Sequence, residues 1–402
     1  MDLDKLQTVA NVEVAGKRLL VRADLNVPTK DGEVSDTTRL QRLLLGLRDL
    51  SARGARIVVI SHFGRPKGIP NPEMSLRPVA KKLGDLLGVP VRFVPDCVGA
   101  EAEAAVAALK PGEIAVLENL RFHPGEEKND AEFAAELARC GDIFVNDAFS
   151  AAHRAHASTV GLTQLLPSYA GPLMIEEINA LRSVLDKPVP PTAAVIGGAK
   201  VSTKITVLKH LLSRVDKLII GGGMANTFLL SHQVVIGKSL AEPDYVDTAR
   251  EIMTAAKERG CAVVLPIDAV IAREFRAGTA HAVVPTLAVP ADAMILDVGP
   301  KSVAHMREVL AECRTLLWNG PLGAFEIPPF GEGTFALARE AAALTKSGRL
   351  VSVAGGGDTV AALNAAGVTD DFTYVSTAGG AFLEWLEGRE LPGVAALVRA
   401  QA

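Results

Sequence analysis

The sequence predicts an α/β protein built of two doubly wound parallel-sheet (Rossmann-like) domains, joined by a linker helix, with a cleft between them. Three observations carry this expectation. Short apolar runs recur along the chain, each followed by a glycine-, proline- or polar-rich word and then a helix-period stretch. About five such runs precede residue 150 and about six follow residue 190, more strands than one open sheet in a compact domain holds. A length of 402 residues, at about 150 per domain, gives two to three domains.

In chain order the runs are RLLV before ADLNVP, RIVVI before SHFGRP, IAVL before ENLRFH and DIFV before NDAFS. The second half continues with TAAVI before GGAK, KLII before GGGMANTF, CAVVL before PIDAV and MIL before DVGP. TLLW before NGPLGAF, LVSVA before GGGDT and TYV before STAGGA close the series. Such runs of apolar, largely β-branched residues read as strands buried on both faces, hence as parallel-sheet strands. Leu40, Leu43, Leu44, Leu47 and Leu50 fall on one helical stripe. The alanine-rich stretches 100–109 and 131–138 are two further helices. Strands alternating with helices imply right-handed βαβ units.

Between the halves, the segment Leu165–Pro191 opens as LLPSYAGP and continues with Ile175, Ile178, Leu181 and Leu185 on one helical side. It stops at KPVPP. A proline-bounded helix there is the expected connector, with the domain break near residue 170. The expected division is an N-terminal domain 1–170, a C-terminal domain 171–386, and a segment 387–402 that returns to the N-terminal domain.

Composition narrows the function classes. Hydrophobic residues at 49% exclude disorder as the main state, and a net charge of −4 leaves no basic footprint for nucleic acid or membrane surfaces. Cys97, Cys140, Cys261 and Cys313 are scattered, without a C-x-x-C pair or a nearby histidine at metal spacing. Neither a disulfide framework nor a zinc site is expected from that spacing, and a reducing cytosol fits. The N-terminus carries acids where a signal peptide carries basic residues, and no uninterrupted apolar stretch is long enough to span a membrane. The expected setting is cytoplasmic. Aromatics are only 4% while Gly (36) and Pro (23) are plentiful, so much of the glycine is expected in turns at strand ends.

Ligands of doubly wound sheets bind beyond the carboxyl ends of the strands. In the first half those ends carry Asp24, Asn26, His62, Arg65, Arg121 and His123, with HRAHAS at 153–158 and Arg39 at the start of the leucine-striped helix. Guanidinium groups match carboxylate and phosphate geometry. A single such arginine commonly serves a surface ion pair, but four at separate strand ends favour a small, multiply charged anion. His62 and His156 read equally well as ligands or as scaffold. In the second half the ends are glycine-rich, at 197–198, 221–223, 355–357 and 379–380, as turns that bring backbone N–H groups to phosphate require. Asp358 in GGGDT is placed either to hold a phosphate-bound Mg²⁺ or to cap a helix, and both roles are compatible. Lys200 and Lys204 in GGAKVSTK fall at i and i+4, on one helix face if that stretch is helical. There is no G-x-x-x-x-G-K-[ST] and no G-x-G-x-x-G after a strand, which disfavours a P-loop NTPase and a dinucleotide dehydrogenase. No nucleophile is paired with a base. An anion site in one domain and a nucleotide site in the other suit phosphoryl transfer to an acceptor that is already ionised. Another acyl-phosphate kinase, or a two-domain anion-binding protein without catalysis, remain as alternatives on spacing alone.

The words VRADLNVP, SHFGRP, LENLRFHPGEE, NDAFSAAHRAHAS, GGAKVSTKI, GGGMANTF, LWNGPLGAFE and GGGDT, in order from about residue 17 to 394, closely resemble the phosphoglycerate kinase family. The resemblance implies 3-phosphoglycerate or 1,3-bisphosphoglycerate bound by Asp24, Asn26, Arg39, His62, Arg65, Arg121 and Arg154. It implies ADP or ATP with Mg²⁺ bound by Lys200, Lys204, Gly223, Asn319, Pro321, Glu326, Gly356, Gly357, Asp358 and Thr359, the metal on Asp358. Arg39, Lys200 and Lys204 are then the catalytic candidates that stabilise the transferring phosphoryl group. A monomer is implied, with domain closure hinged at the helix near 172–186 and at the STAGGA turn. The sequence departs from the family where the usual STGGGA reads STAGGA. Ala378 there is harmless at ordinary backbone angles and obstructive if the position needs a left-handed conformation or a close approach to phosphate.

Overall fold

The computed structural model describes residues 2–400, so the last two residues of the 387–402 segment lie outside the described residues. The described chain forms two compact units: one runs to Ile178 and resumes at Glu390, and the other is Asn179–Arg389. The division falls inside the helix Pro172–Leu185.

The first unit is built on a six-stranded parallel sheet. Its spatial order is Val91–Val94, Ile114–Leu117, Arg56–Ile60, Arg18–Arg22, Ile143–Asn146 and Ser168–Ala170. Both faces are covered. Leu19 and Val21 join the core that holds Leu40, Leu43, Leu47 and Leu50 of the helix Thr38–Ala52, while Leu20 points into the opposite core with Val106, Leu137 and Phe144. Leu44 packs partly buried against the first of these cores, which completes the predicted stripe. Helices at Ala100–Ala107 and Ala131–Ala138 match the alanine-rich stretches. Two strands of this sheet are absent from the sequence reading. Val91–Val94 is an edge strand interrupted by the exposed Arg92, and Ser168–Ala170 is too short to leave an apolar run. The helix Pro392–Arg399 packs on the strand Ser168–Ala170 and the turn Phe149–Ala151, and the Gly393 N–H donates to Ala152 O at 2.8 Å.

The second unit has its own six-stranded parallel sheet, ordered Ala262–Val264, Lys217–Ile220, Thr192–Ile196, Thr315–Asn319, Val351–Gly355 and Tyr374–Ser376. Numbered along the chain, this is the order 3-2-1-4-5-6. It reverses direction between Thr192–Ile196 and Thr315–Asn319 and so opens a crevice at their carboxyl ends. One expectation is corrected here. The run MIL before DVGP is not part of this sheet: Met294–Val298 pairs antiparallel with Asp268–Ala272, which pairs antiparallel with His281–Pro285. The physical reason is one-sided burial, since Met294 and Ile295 are only partly covered and His281–Pro285 is largely exposed. Among the described residues no helix is long and apolar enough to cross a membrane. All four cysteines are free and buried.

Burial of both sheet faces leaves helix starts to be capped from inside. Asp147, directly after the strand Ile143–Asn146, accepts hydrogen bonds at Oδ1 from Leu173 N (2.7 Å) and Met174 N (3.1 Å), at the start of the helix Pro172–Leu185. Burial outweighs these two donors and pushes the Asp147 carboxyl up to about 7. The folded state therefore keeps this proton where the unfolded chain has lost it, so stability falls as pH rises from about 4 to about 7. We expect Asp147→Asn to remove this slope. Urea midpoints of both proteins at about pH 5 and about pH 8 should show wild type losing at least about 1 kcal/mol relative to the variant. Parallel pH dependence of the two proteins would reject the assignment.

Candidate functional site

In the first unit the strand ends assemble a patch of cations. Asp24 accepts from Asn26 N (3.0 Å) and Ser150 Oγ (2.6 Å), and its Oδ2 lies 3.2 Å from Arg39 Nη1. Arg39 Nη1 also donates to Asn26 O at 2.7 Å, so its head is held over the end of the strand Arg18–Arg22 from the first turn of the next helix. Arg121 lies in the 3₁₀ turn Leu120–Phe122 and donates through Nη1 to Gly64 O at 3.0 Å. Its Nε is buried without a hydrogen-bond acceptor, 3.7 Å from Glu127 Oε1. Arg65 and Arg154 are exposed, and among the described residues the guanidinium of neither is in a hydrogen bond or ion pair. Both lower the Arg121 pKa, after burial and against the Glu127 and Glu126 carboxylates, so the three guanidinium groups share one electrostatic neighbourhood. The structure thus brings Asp24, Asn26 and Arg39 together on one side, and Arg65, Arg121 and Arg154 on the other.

A buried layer under this patch was not read from the sequence. Arg22, fully buried at the end of its strand, donates through Nε to Ser158 Oγ (2.9 Å) and through Nη1 to Ala23 O (2.7 Å). Its Nη2 lies 2.9 Å from His62 Nδ1. A guanidinium only donates, so Nδ1 of His62 accepts, and the ring is the neutral tautomer with its proton on Nε2. Among the described residues no protein atom accepts that Nε2–H, so it is available as a donor. The charge of Arg22 is balanced by Glu126, also fully buried, which accepts from Ser158 N at 3.1 Å and from Ser158 Oγ. His156 Nδ1 lies 3.8 Å from Glu126 Oε1. Burial first, then the charges of Arg22 and Arg121, hold the His62 imidazole well below its ordinary range, and burial with the same arginines lowers His156 to about 4. Asn119 ties the loops together: its Oδ1 accepts from Phe63 N (3.1 Å) and Arg121 N (3.0 Å), and its Nδ2 donates to Phe63 O (2.7 Å) and Met74 O (2.9 Å). The available signals were a charge closing the apolar run RLLVR and an acid pair inside HPGEE.

In the second unit a cavity of about 470 Å³ opens at the crevice. Gly223, Pro321, Glu326 and Asp358 of the predicted set line it, and Leu240, Met294 and Leu296 give it an apolar wall. Those aliphatic neighbours carry no sequence motif. Lys204 Nζ donates to Asn319 Oδ1, and Asn319 Nδ2 donates to Gly355 O at 2.7 Å. Burial lowers the Lys204 pKa, and the Asp358 and Glu387 carboxylates oppose it. Gly356 has φ +102°, and a Cβ there would lie 2.5 Å from Asn319 Nδ2, so both backbone and space demand glycine. Thr359 is buried, and its Oγ1 accepts from Gly320 N at 2.7 Å. Gly357 and Asp358 are exposed at the start of the helix Gly357–Ala366.

Two expectations are corrected. Lys200 and Lys204 do not share a helix face. Val201–Thr203 is a 3₁₀ turn pinned by Glu242, which accepts from Ser202 N and Oγ, so the α-helix starts only at Ile205; Lys200 is exposed and Lys204 half-buried. Asp358 does not cap its helix, because Gly356 takes the cap position and Asp358 falls in the first turn, its carboxylate free for a cation. Ala378 is tolerated because the left-handed conformation falls on Gly379 (φ +54°), while the Ala378 N–H donates to Ser376 Oγ at 3.2 Å.

The arrangement can hold a small polyanion on the first unit. On the second it can hold a flat apolar ring with phosphates at helix starts and a hard cation at Asp358. Comparison with known proteins gives a consistent result. Residues 9–389 match the protein family described as Phosphoglycerate kinase. A phosphoglycerate kinase of Sinorhizobium medicae is 60% identical over 382 residues, 95% of this chain and 96% of that protein. The solved phosphoglycerate kinase of Coxiella burnetii superposes with a TM-score of 0.92 at 41% identity, covering 99% of this chain and all of that one. That of Pyrococcus horikoshii gives 0.82 at 31% identity, covering 98% and 99%.

The hydrogen-bond pattern around Arg22 makes a direct prediction. Nitrogen-resolved histidine NMR should show His62 as the neutral Nε2–H tautomer, unchanged from about pH 8 to about pH 5. An imidazolium signal by about pH 6 would overturn it. Since the unfolded imidazole binds its proton first, with a pKa of about 6.5, the contribution of His156 alone should fall with decreasing pH between about 6.5 and its own value of about 4, opposite in sign to that of Asp147, and it is read as the difference between wild type and His156→Gln.

Proposed function

The chain belongs to the phosphoglycerate kinase family, and from that premise we propose that its two sites are the two halves of one phosphoryl-transfer apparatus. The enzyme catalyses reversible transfer of the acyl phosphate of 1,3-bisphosphoglycerate to ADP, giving 3-phosphoglycerate and ATP, a step of glycolysis with a carboxyl group as the acceptor in reverse. The assignment of residues rests on one observation above all. The first unit gathers Arg65 and Arg154 in the electrostatic neighbourhood of Arg121, whose charge, with that of Arg39, also reaches His62, whereas the second unit pairs glycine turns with an apolar cavity.

3-Phosphoglycerate carries negative charge at both ends, and a spread of guanidinium groups with one neutral donor fits it better than a single point charge does. Asp24 and Asn26 hold Arg39 at the edge of this patch, where it is placed to meet charge developing on the transferring group. On the second unit the aliphatic wall receives the purine, with Glu326 and Pro321 at its side. Lys204, Asn319 and the Gly356–Thr359 turn meet the phosphates, with Gly223 at the start of a neighbouring helix and Lys200 reaching in from the surface. Asp358 would hold Mg²⁺, which neutralises charge on the nucleotide phosphates when bound; an exposed carboxylate beside a phosphate-accepting turn suits an ion that takes one or two carboxylates. The carboxylate acceptor needs no general base, and both buried histidines are held neutral, consistent with catalysis by positioning and charge stabilisation. Reacting atoms must come within about 3–3.5 Å, so turnover requires the two halves to be brought together, with the segment 172–186 and the STAGGA turn as hinges. The enzyme acts as a cytoplasmic monomer on small molecules, with neither nucleic acid nor a membrane as partner.

A coupled assay of ATP formation from 1,3-bisphosphoglycerate and ADP tests the reading. Arg39→Ala should lower kcat by about 10³-fold. A kcat near wild type removes Arg39 from the transition state. Asp358→Asn should move the Mg²⁺ dependence of the rate to at least about tenfold higher concentration, since a neutral amide is a poor Mg²⁺ ligand. An unchanged Mg²⁺ titration would reject Asp358 as the metal ligand.

A further inference from the structure

Beside the anion patch but outside the residues assigned to either substrate, the first unit brings together three side chains of different ligand chemistry. Asp96 and Cys97 follow the edge strand Val91–Val94, and His123 follows the turn after its neighbour Ile114–Leu117. The parallel register that sets Val94 beside Leu117 places these loop ends side by side. One donor atom each of Asp96, Cys97 and His123 lies within 4.8 Å of the other two. His123 Nε2 is 2.7 Å from Asp96 Oδ1, and its ring stacks on Phe133 with centroids 5.2 Å apart. Asp96 Oδ1 is further tethered by the Cys97 N–H at 2.7 Å. The Cys97 sulfur, 1% exposed by residue, has no hydrogen-bond partner among the described residues, whereas the equally buried thiol of Cys313 donates to Val309 O at 3.2 Å. A cavity of about 500 Å³ adjoins the group, with Asp96, His123, Ser75 and Glu118 in its wall.

We propose that Asp96, Cys97 and His123 form a binding site for one zinc-class divalent cation, with one coordination position open to this cavity. Sulfur, imidazole nitrogen and carboxylate oxygen together select a borderline-soft ion over Mg²⁺ or Ca²⁺, whose preferred ligands are oxygen alone. Three protein ligands leave the fourth tetrahedral position to water or to a small ligand in the cavity. On binding, the metal–sulfur bond forms as the Cys97 thiol releases its proton to solvent. The sequence spacing concealed the group because 25 residues lie between Cys97 and His123, and only strand register joins them. His123 lies two residues after Arg121, so a cation there fixes the turn that presents one guanidinium of the anion patch.

Co²⁺ is the probe, titrated into the full-length protein without nucleotide. The expected result is one equivalent bound with an intense near-ultraviolet thiolate-to-cobalt band, abolished by stoichiometric Zn²⁺ and absent in Cys97→Ser. Cys140, Cys261 and Cys313 remain in that variant, so a band that persists in it overturns the proposal, as does no band in wild type. His123→Asn keeps the thiol and should weaken Co²⁺ affinity by at least about tenfold. Unchanged affinity in that variant overturns the site even if Cys97→Ser fails to fold, as circular dichroism would reveal.

Discussion

The central strands of the two parallel sheets are covered on both faces, and that constraint dictates where chemistry can reside. A side chain in the middle of Leu19–Val21 or Leu316–Trp318 faces one core or the other and has no route to solvent. Polar function is therefore confined to the residue that ends each strand and to the loop beyond it. Arg22, Asn146 and Asn319 close their strands, and His62, Arg121, Gly197 and Gly356 sit in the following turns. Buried carboxylates cap helix starts in both kinds of sheet: Asp147 follows a parallel strand and accepts N–H groups of Pro172–Leu185, while Asp268 and Asp297, on the antiparallel sheet, do the same for Pro300–Glu312 and Glu332–Lys346. Burial pushes Asp297 up to about 7, like Asp147, although two backbone donors favour its charged form.

The Arg22–Glu126 layer shows why a substrate patch of cations needs an anion beneath it. A fully buried guanidinium is expensive to desolvate unless its donors are all used and its charge is met. Ser158 links the two, accepting from Arg22 and donating to Glu126, while Ala23 O and His62 Nδ1 take further donors of the guanidinium. Electrostatics then act outward. Arg22 fixes the tautomer of His62, and burial first, then the charges of Arg22 and Arg121, lower the pKa of both His62 and His156. Charged histidines among so many arginines would repel one another as strongly as they attracted a ligand; neutral ones add donors without adding repulsion.

Much of the fold was legible because parallel sheets write continuous apolar runs into the sequence. All six strands of the second sheet and four of the first were read from such runs. What escaped had a physical reason in each case. Val91–Val94 is exposed on one side and carries Arg92, so its pattern resembles a loop. Met294–Val298 gives an apolar run like the others, and nothing local distinguishes an antiparallel flanking strand from a parallel central one. At the site, the motif residues were legible and their supports were not. Arg22, Asn119, Glu126 and Ser158 hold nothing but other protein atoms, and their meaning lies in contacts up to 136 residues apart. Leu240 and Leu296 are ordinary aliphatics until the fold sets them around one cavity.

The two units reach anions by opposite means, and the difference follows from what each must recognise. On the proposed reading, a phosphoglycerate has little apolar surface, so its recognition falls to side-chain cations, which reach from several loops and match two charged ends at once. A nucleotide has a flat ring whose burial supplies affinity, which frees its phosphates to be met by backbone N–H groups. Backbone can approach that closely only where no Cβ intervenes, and the Asn319 amide already fills the space a side chain at Gly356 would need. The glycine turns at the strand ends of the second half and the arginines at those of the first are thus, on the proposed reading, one principle applied to two ligands. STAGGA fits the same account: alanine is admitted at residue 378 because the next residue, Gly379, carries the left-handed turn.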